Sequence, residues 1–405
     1  MTVQTLAGKE IVLGVTGSIA AVETVKLVHA LRRKGATVQP VMSEAAQGII
    51  HPDALTYASG MSTITRLSGL VEHVTHCGDG GSAALLLIAP CTANTLGKIA
   101  SGIDDTPVTT FATTALGSGI PVLVVPAMHH SMYRHPAVVR NIKTLKSWGI
   151  GFVEPRIEEE KAKIADIDEI VLRCEREILG KPLAGTRVLI TSGACREPVD
   201  DVRVLTTRAS GRMGQELALE AFRLGANVTI VHHDAIPCVN NVWIDTAGDM
   251  AKAVKAGLTE TKPDVYISAA AISDFAPVRV VGKIPSGSPA RLDLVPLQKI
   301  LDMALAKKGV RVIAFKIGKK TQKDAEKLIG KGAWMVVTNG PVTMGSKTGE
   351  YRIVVLGDDN GTVISGTKDE IAHALWQRIG RPDKAVPAGS VQHPKKTVRN
   401  SKRNS

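Results

Sequence analysis

An apolar, β-branched run that stops at a glycine turn and resumes as a helix recurs through this chain, and it limits the possible folds more than any other feature. Its first occurrence is Ile11 to Ala21, IVLGVTGSIAA. A continuous run of this kind suits a strand buried on both faces of a parallel sheet. The turn is Thr16-Gly17-Ser18. Gly17 lets backbone come close, Ser18 can cap the following helix, and the free amides of that first turn form an anion site. Phosphate is the anion to which such a turn points. The spacing is Gly14-x-x-Gly17, not the G-x-G-x-x-G of a dinucleotide fingerprint, so a mononucleotide such as FMN fits at least as well.

The same device continues along the chain. Helical spacing from Val22 to Lys34, a stop at Gly35 and a strand over Thr37 to Met42 make a right-handed βαβ unit. Further buried strands are predicted at Ala83 to Ala89, running into Pro90-Cys91-Thr92, and at Val122 to Val125, running into Pro126-Ala127-Met128-His129-His130. In an open parallel sheet, ligands bind where strands deliver their carboxyl ends. Glu154 to Asp168 is strongly charged, a helix is predicted from about Ile170 to Leu179, and Gly180-Lys181-Pro182 reads as a domain boundary. Arg187 to Thr191 then repeats the opening strand, Ser192-Gly193-Ala194 its turn, and Ser210-Gly211-Arg212-Met213-Gly214 starts a helix that runs to Gly225. Strands are expected at Asn227–Val231, Val265–Ala269, Val310–Phe315, Met335–Thr338 and Arg352–Leu356, with helices at Ala247–Leu258 and Gln322–Gly330. The expected architecture is α/β: two doubly wound Rossmann-like domains, 1–180 and 181–380, the first flavodoxin-like, and a disordered basic tail, 381–405.

Composition narrows the function. The formal charge of +12 invites a nucleic-acid reading, but much of the excess lies in the tail (Lys395, Lys396, Arg399, Lys402, Arg403). With aromatics at 3%, few side chains could stack bases, and no nucleic-acid partner is expected. Acidic phosphorylated small molecules would equally favour a basic protein. No apolar run approaches membrane-spanning length and no signal-peptide pattern opens the chain, so a cytoplasmic, membrane-free protein is expected. Five scattered cysteines without a C-x-x-C pair fit reduced thiols.

Four clusters could carry chemistry. His73-x-x-His76-Cys77 is incomplete as a zinc site; its histidines are either solvated loop residues or a general base beside a flavin. Met128, His129, His130 and Met132 follow a strand's carboxyl end, where the methionines could be core packing or line a cofactor. Gly193, Arg196, Glu197, Asp200 and the Ser210 to Gly214 turn suggest a second phosphate site, or merely tight packing. Ala269 to Asp274, with Lys283 beyond it, could hold a base, a ribose or magnesium and neutralise a triphosphate, or be a helix cap and a surface charge.

Val15 to Ala21, Pro90 to Thr95, Ser101 to Pro107 and Pro126 to Met128 resemble the flavin-containing cysteine decarboxylases; Thr191 to Gly193, Arg196 to Pro198, Ser210 to Gly214 and Ala270 to Asp274 resemble phosphopantothenate-cysteine ligase. In this order they resemble the bifunctional coenzyme A biosynthesis family, in its archaeal form, over about residues 8 to 380. The resemblance implies that cysteine is ligated to 4′-phosphopantothenate through an acyl-cytidylate made with CTP and Mg2+. FMN-dependent decarboxylation of phosphopantothenoylcysteine to 4′-phosphopantetheine would follow. It implies His73 as the active-site base and Gly17, Ser18, Ile19, Ser43, Pro90, Cys91 and Thr92 as FMN contacts, with Met128 and His129 at the decarboxylase substrate. In the second half it implies Ser268, Ala269, Ala270, Asp274, Lys283, Phe315, Lys327 and Lys331 around CTP. Lys283 would also be catalytic, Asp274 is a candidate for Mg2+, and Gly193, Ser210 and Gly211 form the substrate loop. Homo-oligomers are implied as well, with trimeric flavin domains and dimeric ligase domains.

The sequence departs from the bacterial pattern at several places. His129 stands where an Asn follows Pro-Ala-Met, Glu154 to Asp168 holds no cysteine, Thr207 replaces an Asn, Phe315-Lys316-Ile317-Gly318 lacks an acid, and Asn339-Gly340 replaces Asn-Asp. Two alternatives follow from these departures: a flavoprotein decarboxylase with a noncatalytic ligase-like half, and a nonenzymatic flavin-binding regulatory subunit.

Overall fold

The computed structural model describes residues 3–158, 161–287, 289–318, 321–357 and 361–380; the basic tail expected over 381–405 lies outside them. The first half is built on five parallel strands in the spatial order Thr37–Met42, Glu10–Val15, Ala83–Cys91, Val122–Pro126, Gly151–Phe152. This is the flavodoxin-like 2-1-3-4-5 order, in which the chain reverses direction between the strands beginning at Glu10 and Ala83. The central strands are buried on both faces, because helices cover each. Leu13, Leu85 and Leu87 pack with the helix Thr24–Arg33 on one side; Val12, Leu86 and Ile88 pack with the helix Pro107–Gly117 on the other.

The second half holds an eight-stranded sheet ordered Asn240–Trp243, Asn227–His232, Arg187–Thr191, Val265–Ser268, Arg311–Ile317, Met335–Asn339, Thr348–Val355, Thr362–Thr367. The first six are parallel in the Rossmann order 3-2-1-4-5-6, and the last two are antiparallel. Its point of reversal lies between Arg187–Thr191 and Val265–Ser268. Helix Lys368–Ile379 runs beside helix Arg212–Arg223, and the Trp376 indole N–H donates to Leu217 O at 2.8 Å.

The halves meet through charge. Glu175, on helix Ile167–Ile178 of the first half and 1% exposed, bonds Arg223 of the second at 2.7 Å. Arg223 also bonds Glu220 at 2.7 Å, and Glu220 bonds His373 at 2.8 Å. Burial alone would push the Glu220 carboxyl up, but His373 and Arg223 hold it below its usual range.

The charged stretch Glu154 to Asp168 carries more structure than its composition suggests. Arg156–Glu158 and Lys161–Lys163 pair antiparallel, and the second strand pairs with Met128–His129. Helices Pro52–Ser59, Pro136–Ser147 and Pro107–Gly117 each start on a proline at the first helical position.

Candidate active sites

In the first half, Thr16 ties the two strands at the point of reversal together. Its hydroxyl donates to Pro90 O at 2.8 Å and accepts from the Thr92 amide at 3.1 Å. The turn is thereby held against Pro90-Cys91-Thr92, and Thr92 caps the helix Ala93–Ala100. Burial pushes the Cys91 thiol pKa up, so this cysteine is an inert part of the wall. Gly17 has no room for a side chain: a Cβ there would lie 2.6 Å from the Ala45 Cβ. Its first reason to be glycine is therefore the close approach of helix Glu44–Gln47. Ser43, which begins that helix, bonds Val15 through its backbone, while its hydroxyl is buried without a partner among the described residues. An orphaned hydroxyl beside a helix-opening glycine turn fits an anionic group such as the phosphate of FMN.

Gly17→Ala should cost flavin affinity without unfolding the domain, because the clash is confined to one short helix. The check is FMN titration followed by flavin fluorescence, and an unchanged affinity would contradict this reading of the turn.

Ser18, Ile19, Met128, His129, Arg156 and Asp166 line a cavity of about 900 Å³ at this edge. Arg156, which starts the hairpin after Glu154, lines it together with Ile164 to Asp168 and is held by an ion pair of 2.9 Å to Asp166. The His129 Nδ1 accepts from the Ser131 amide at 3.4 Å and lies 2.8 Å from its hydroxyl. In the neutral ring this leaves the proton on Nε2.

His73 is elsewhere. It sits on the short helix Glu72–Cys77, edge-on to Phe111 with ring centroids 6.4 Å apart, and its Nδ1 is buried without a partner among the described residues. One turn on, His76 bonds Glu10 at 2.5 Å. Glu10 opens the strand that Val15 closes, about 16 Å away at the usual strand rise. His73 therefore lies toward the amino edge of the sheet, while the glycine turn is at the carboxyl edge, and it is not among the residues lining the cavity. No group of three or more potential metal ligands occurs among the described residues.

In the second half, Gly193 and Gly211 both take positive φ, and a Cβ on Gly211 would lie 3.2 Å from the Gly193 Cα. Their backbones face each other, and Ser192 locks the contact by donating to Gly211 O at 2.8 Å. Ser210, Gly211, Ala269, Ala270 and Phe315 line a cleft of about 110 Å³ at the carboxyl edge, whereas Ser268 lies just below it as the last residue of its strand. Thr207 bonds Ala271 O at 3.2 Å.

Asp200 organises the loop below Lys283. Its carboxylate accepts from the amides of Val202, Arg203 and Ile284 and from the Arg203 guanidinium. Burial works against these donors, yet they hold its pKa down at about 2. Lys283 is thus flanked by anchored backbone, since the Gly282 amide donates to Asp201. Asp274 is exposed and paired with Lys299 at 2.5 Å; Lys331 is paired with Asp302 at 3.2 Å; Lys327 is exposed. None of these, nor Lys283, lines the cleft. Lys368, which lines the cleft, belongs to none of the sequence motifs.

Two open α/β sheets, each with a glycine turn at its point of reversal and a cleft at its carboxyl edge, define a doubly wound α/β protein with two ligand sites. Residues 2–178 match the flavoprotein family, and residues 183–381 match the DNA/pantothenate metabolism flavoprotein C-terminal domain. The coenzyme A biosynthesis bifunctional protein CoaBC of Thermococcus kodakarensis is 43% identical over 389 residues, 92% of this chain and 95% of that protein. Its counterpart in Methanocaldococcus jannaschii is 32% identical over 92% of this chain and 94% of its own length. A crystal structure of the C-terminal domain of a CoaBC protein is 29% identical, covers 50% of this chain and 97% of that one, and superimposes with a TM-score of 0.42. The chain belongs to the bifunctional coenzyme A biosynthesis family, and it is an enzyme with a decarboxylase half and a ligase half. No described helix is long and apolar enough to cross a membrane.

Proposed function

We propose that the second half joins cysteine to 4′-phosphopantothenate using CTP and Mg2+, and that the first half decarboxylates the phosphopantothenoylcysteine so formed to 4′-phosphopantetheine. The observation carrying this reading is that each half opens a cleft at the carboxyl edge of its sheet, in a chain that aligns over 389 residues with the bifunctional Thermococcus relative.

FMN, when bound, supplies two-electron redox chemistry at the sulfur-bearing carbon of the substrate. The amides of Gly17 and Ile19 and the hydroxyls of Ser18 and Ser43 would hold its phosphate, the Ser18 amide being bonded to Thr16 O at 2.8 Å, with Pro90, Cys91 and Thr92 as the adjoining wall. His129 presents an Nε2 donor to the cavity, so it can bind the substrate carboxylate in place of an Asn amide, with Met128 beside it. His73 takes the thiol proton. Since it lies toward the amino edge of its own sheet, a neighbouring copy must supply it, which supports an oligomeric flavin domain and the trimer implied by resemblance. Exposed Ile19, Tyr57 and Leu70 offer apolar surface for that contact.

In the ligase half, Ser268, Ala269, Ala270 and Phe315 would receive the nucleotide, with Lys327 and Lys331 at its phosphates. Lys283 would stabilise charge as the acyl-cytidylate forms. With no metal-binding cluster among the described residues, Mg2+ would rest on the substrate phosphates and on Asp274. Exposed Val278, Val281 (92%) and Leu294, on and beside the short hairpin Phe275–Pro277/Leu294–Pro296, are a surface for the dimer. A cytoplasmic location fits these substrates, and the division of the chain near residue 180 fits the two reactions. The purified protein should be yellow, or become so with FMN. A colourless preparation that FMN does not reconstitute would contradict the flavin assignment.

A further inference from the structure

The ligase cleft contains a cation that no motif points to. Lys368 opens the helix Lys368–Ile379, is 7% exposed and lines the cleft beside Ser210 and Gly211. Three features of its surroundings oppose an ammonium there. Burial removes water, the first turn of a helix carries partial positive charge, and Arg212 adds a second cation. Arg212 itself opens the neighbouring helix Arg212–Arg223, so two helix N-termini and two basic side chains meet at one end of the cleft.

Little in the chain offsets this. Among the described residues no hydrogen bond or ion pair engages the Lys368 Nζ. Glu216, one turn along the neighbouring helix, acts on it only from a distance, and burial pushes Glu216's own carboxyl toward its neutral form. The backbone holds Lys368 in place regardless: its amide donates to Lys347 O at 3.2 Å, and the Thr367 amide donates to the Glu370 carboxylate at 2.8 Å at the helix start. A buried lysine positioned by its backbone and left without a counter-charge is arranged for an anion that arrives from outside.

We infer that Lys368, together with the Ser210-Gly211-Arg212 turn, binds a phosphoryl group of a ligase substrate. This rests on the ligase reading above. The group could come from the phosphate of phosphopantothenate or from the triphosphate of CTP, and the two are separable by kinetics. The alternative is that Lys368 only packs the cleft wall.

The test uses the full chain, with Lys368→Met, which keeps the length and removes the charge, and Lys368→Arg, which keeps the charge. Lys368→Met should raise the Michaelis constant for one phosphorylated substrate by about tenfold to a hundredfold, as expected for losing a charge-assisted bond, and Lys368→Arg should recover much of that loss. If the constant for phosphopantothenate rises, the subsite belongs to its phosphate; if the constant for CTP rises, the subsite belongs to the triphosphate. Decarboxylation of supplied phosphopantothenoylcysteine should be unchanged, which controls for folding. Inorganic pyrophosphate binding by calorimetry provides a readout independent of turnover: the wild type should bind it at least tenfold more tightly than Lys368→Met. Michaelis constants unchanged in both variants, or equal pyrophosphate affinity, would overturn the inference. If the wild type binds pyrophosphate in a Lys368-dependent way but does not ligate, the ligase reading fails while the subsite stands.

Discussion

His73→Asn should retain flavin and lose decarboxylation by about 10²- to 10⁴-fold, the usual range for removing a general base. Retention is expected because His73 is remote from the glycine turn of its own chain and its Nδ1 has no hydrogen-bond partner among the described residues. The same geometry gives a sharper expectation. A mixture of His73→Asn and His129→Ala chains, dissociated and reassembled together, should recover activity that neither variant has alone. Each mixed assembly can contain a site with one chain's intact cavity and the other chain's intact histidine. Full activity in His73→Asn would remove its role as base, and mixed assemblies as inactive as their parents would mean that both histidines serve from one chain.

Arg223→Met should destabilise the protein by about 3–5 kcal/mol, because it removes the guanidinium shared by buried Glu175 and Glu220 and leaves only Lys34, 3.6 Å from the first, and His373, 2.8 Å from the second. The cost comes from desolvated carboxylates, not from lost packing, so adding Glu175→Gln should recover part of it. The loss should also shrink as pH falls, since burial favours the neutral Glu220 carboxyl once Arg223 no longer holds it charged. Denaturant midpoints of the three proteins, measured as the pH is lowered, check both statements. A loss below about 1 kcal/mol would show that water reaches the pair.

The parallel strands were the most legible part of the chain. Arg187–Thr191 and the helix Gln322–Gly330 have the bounds their patterns predict, because buried β-branched runs and apolar spacing report local geometry directly. Helices Pro107–Gly117 and Pro136–Ser147 were not anticipated: the first is threonine-rich, and the second has an exposed face rich in basic residues that blurs its apolar stripe. In sequence the hairpin after Glu154 shows only a charge run, since its pairing depends on Met128–His129, some thirty residues earlier.

Site residues divided in the same way. Gly17, Ser18, Gly193 and Gly211 lie at turns whose chemistry is local, and they fall at the two points of reversal. The place of His73 depends on which edge its helix packs against, which no local pattern records. Lys368 was invisible because a lysine opening a helix looks like a surface charge until the neighbouring helix buries it. Asp274 and Lys331 are legible as charged residues, but their partners Lys299 and Asp302 are tertiary.

The most direct test of the whole account is to supply FMN-loaded protein with 4′-phosphopantothenate, cysteine, CTP and Mg2+ and to follow the products by mass spectrometry. The expected product is 4′-phosphopantetheine, with phosphopantothenoylcysteine passing through as the intermediate and CMP accumulating with it. If supplied phosphopantothenoylcysteine is decarboxylated but never forms from its precursors, the ligase half is contradicted. If it forms and persists, the decarboxylase half is.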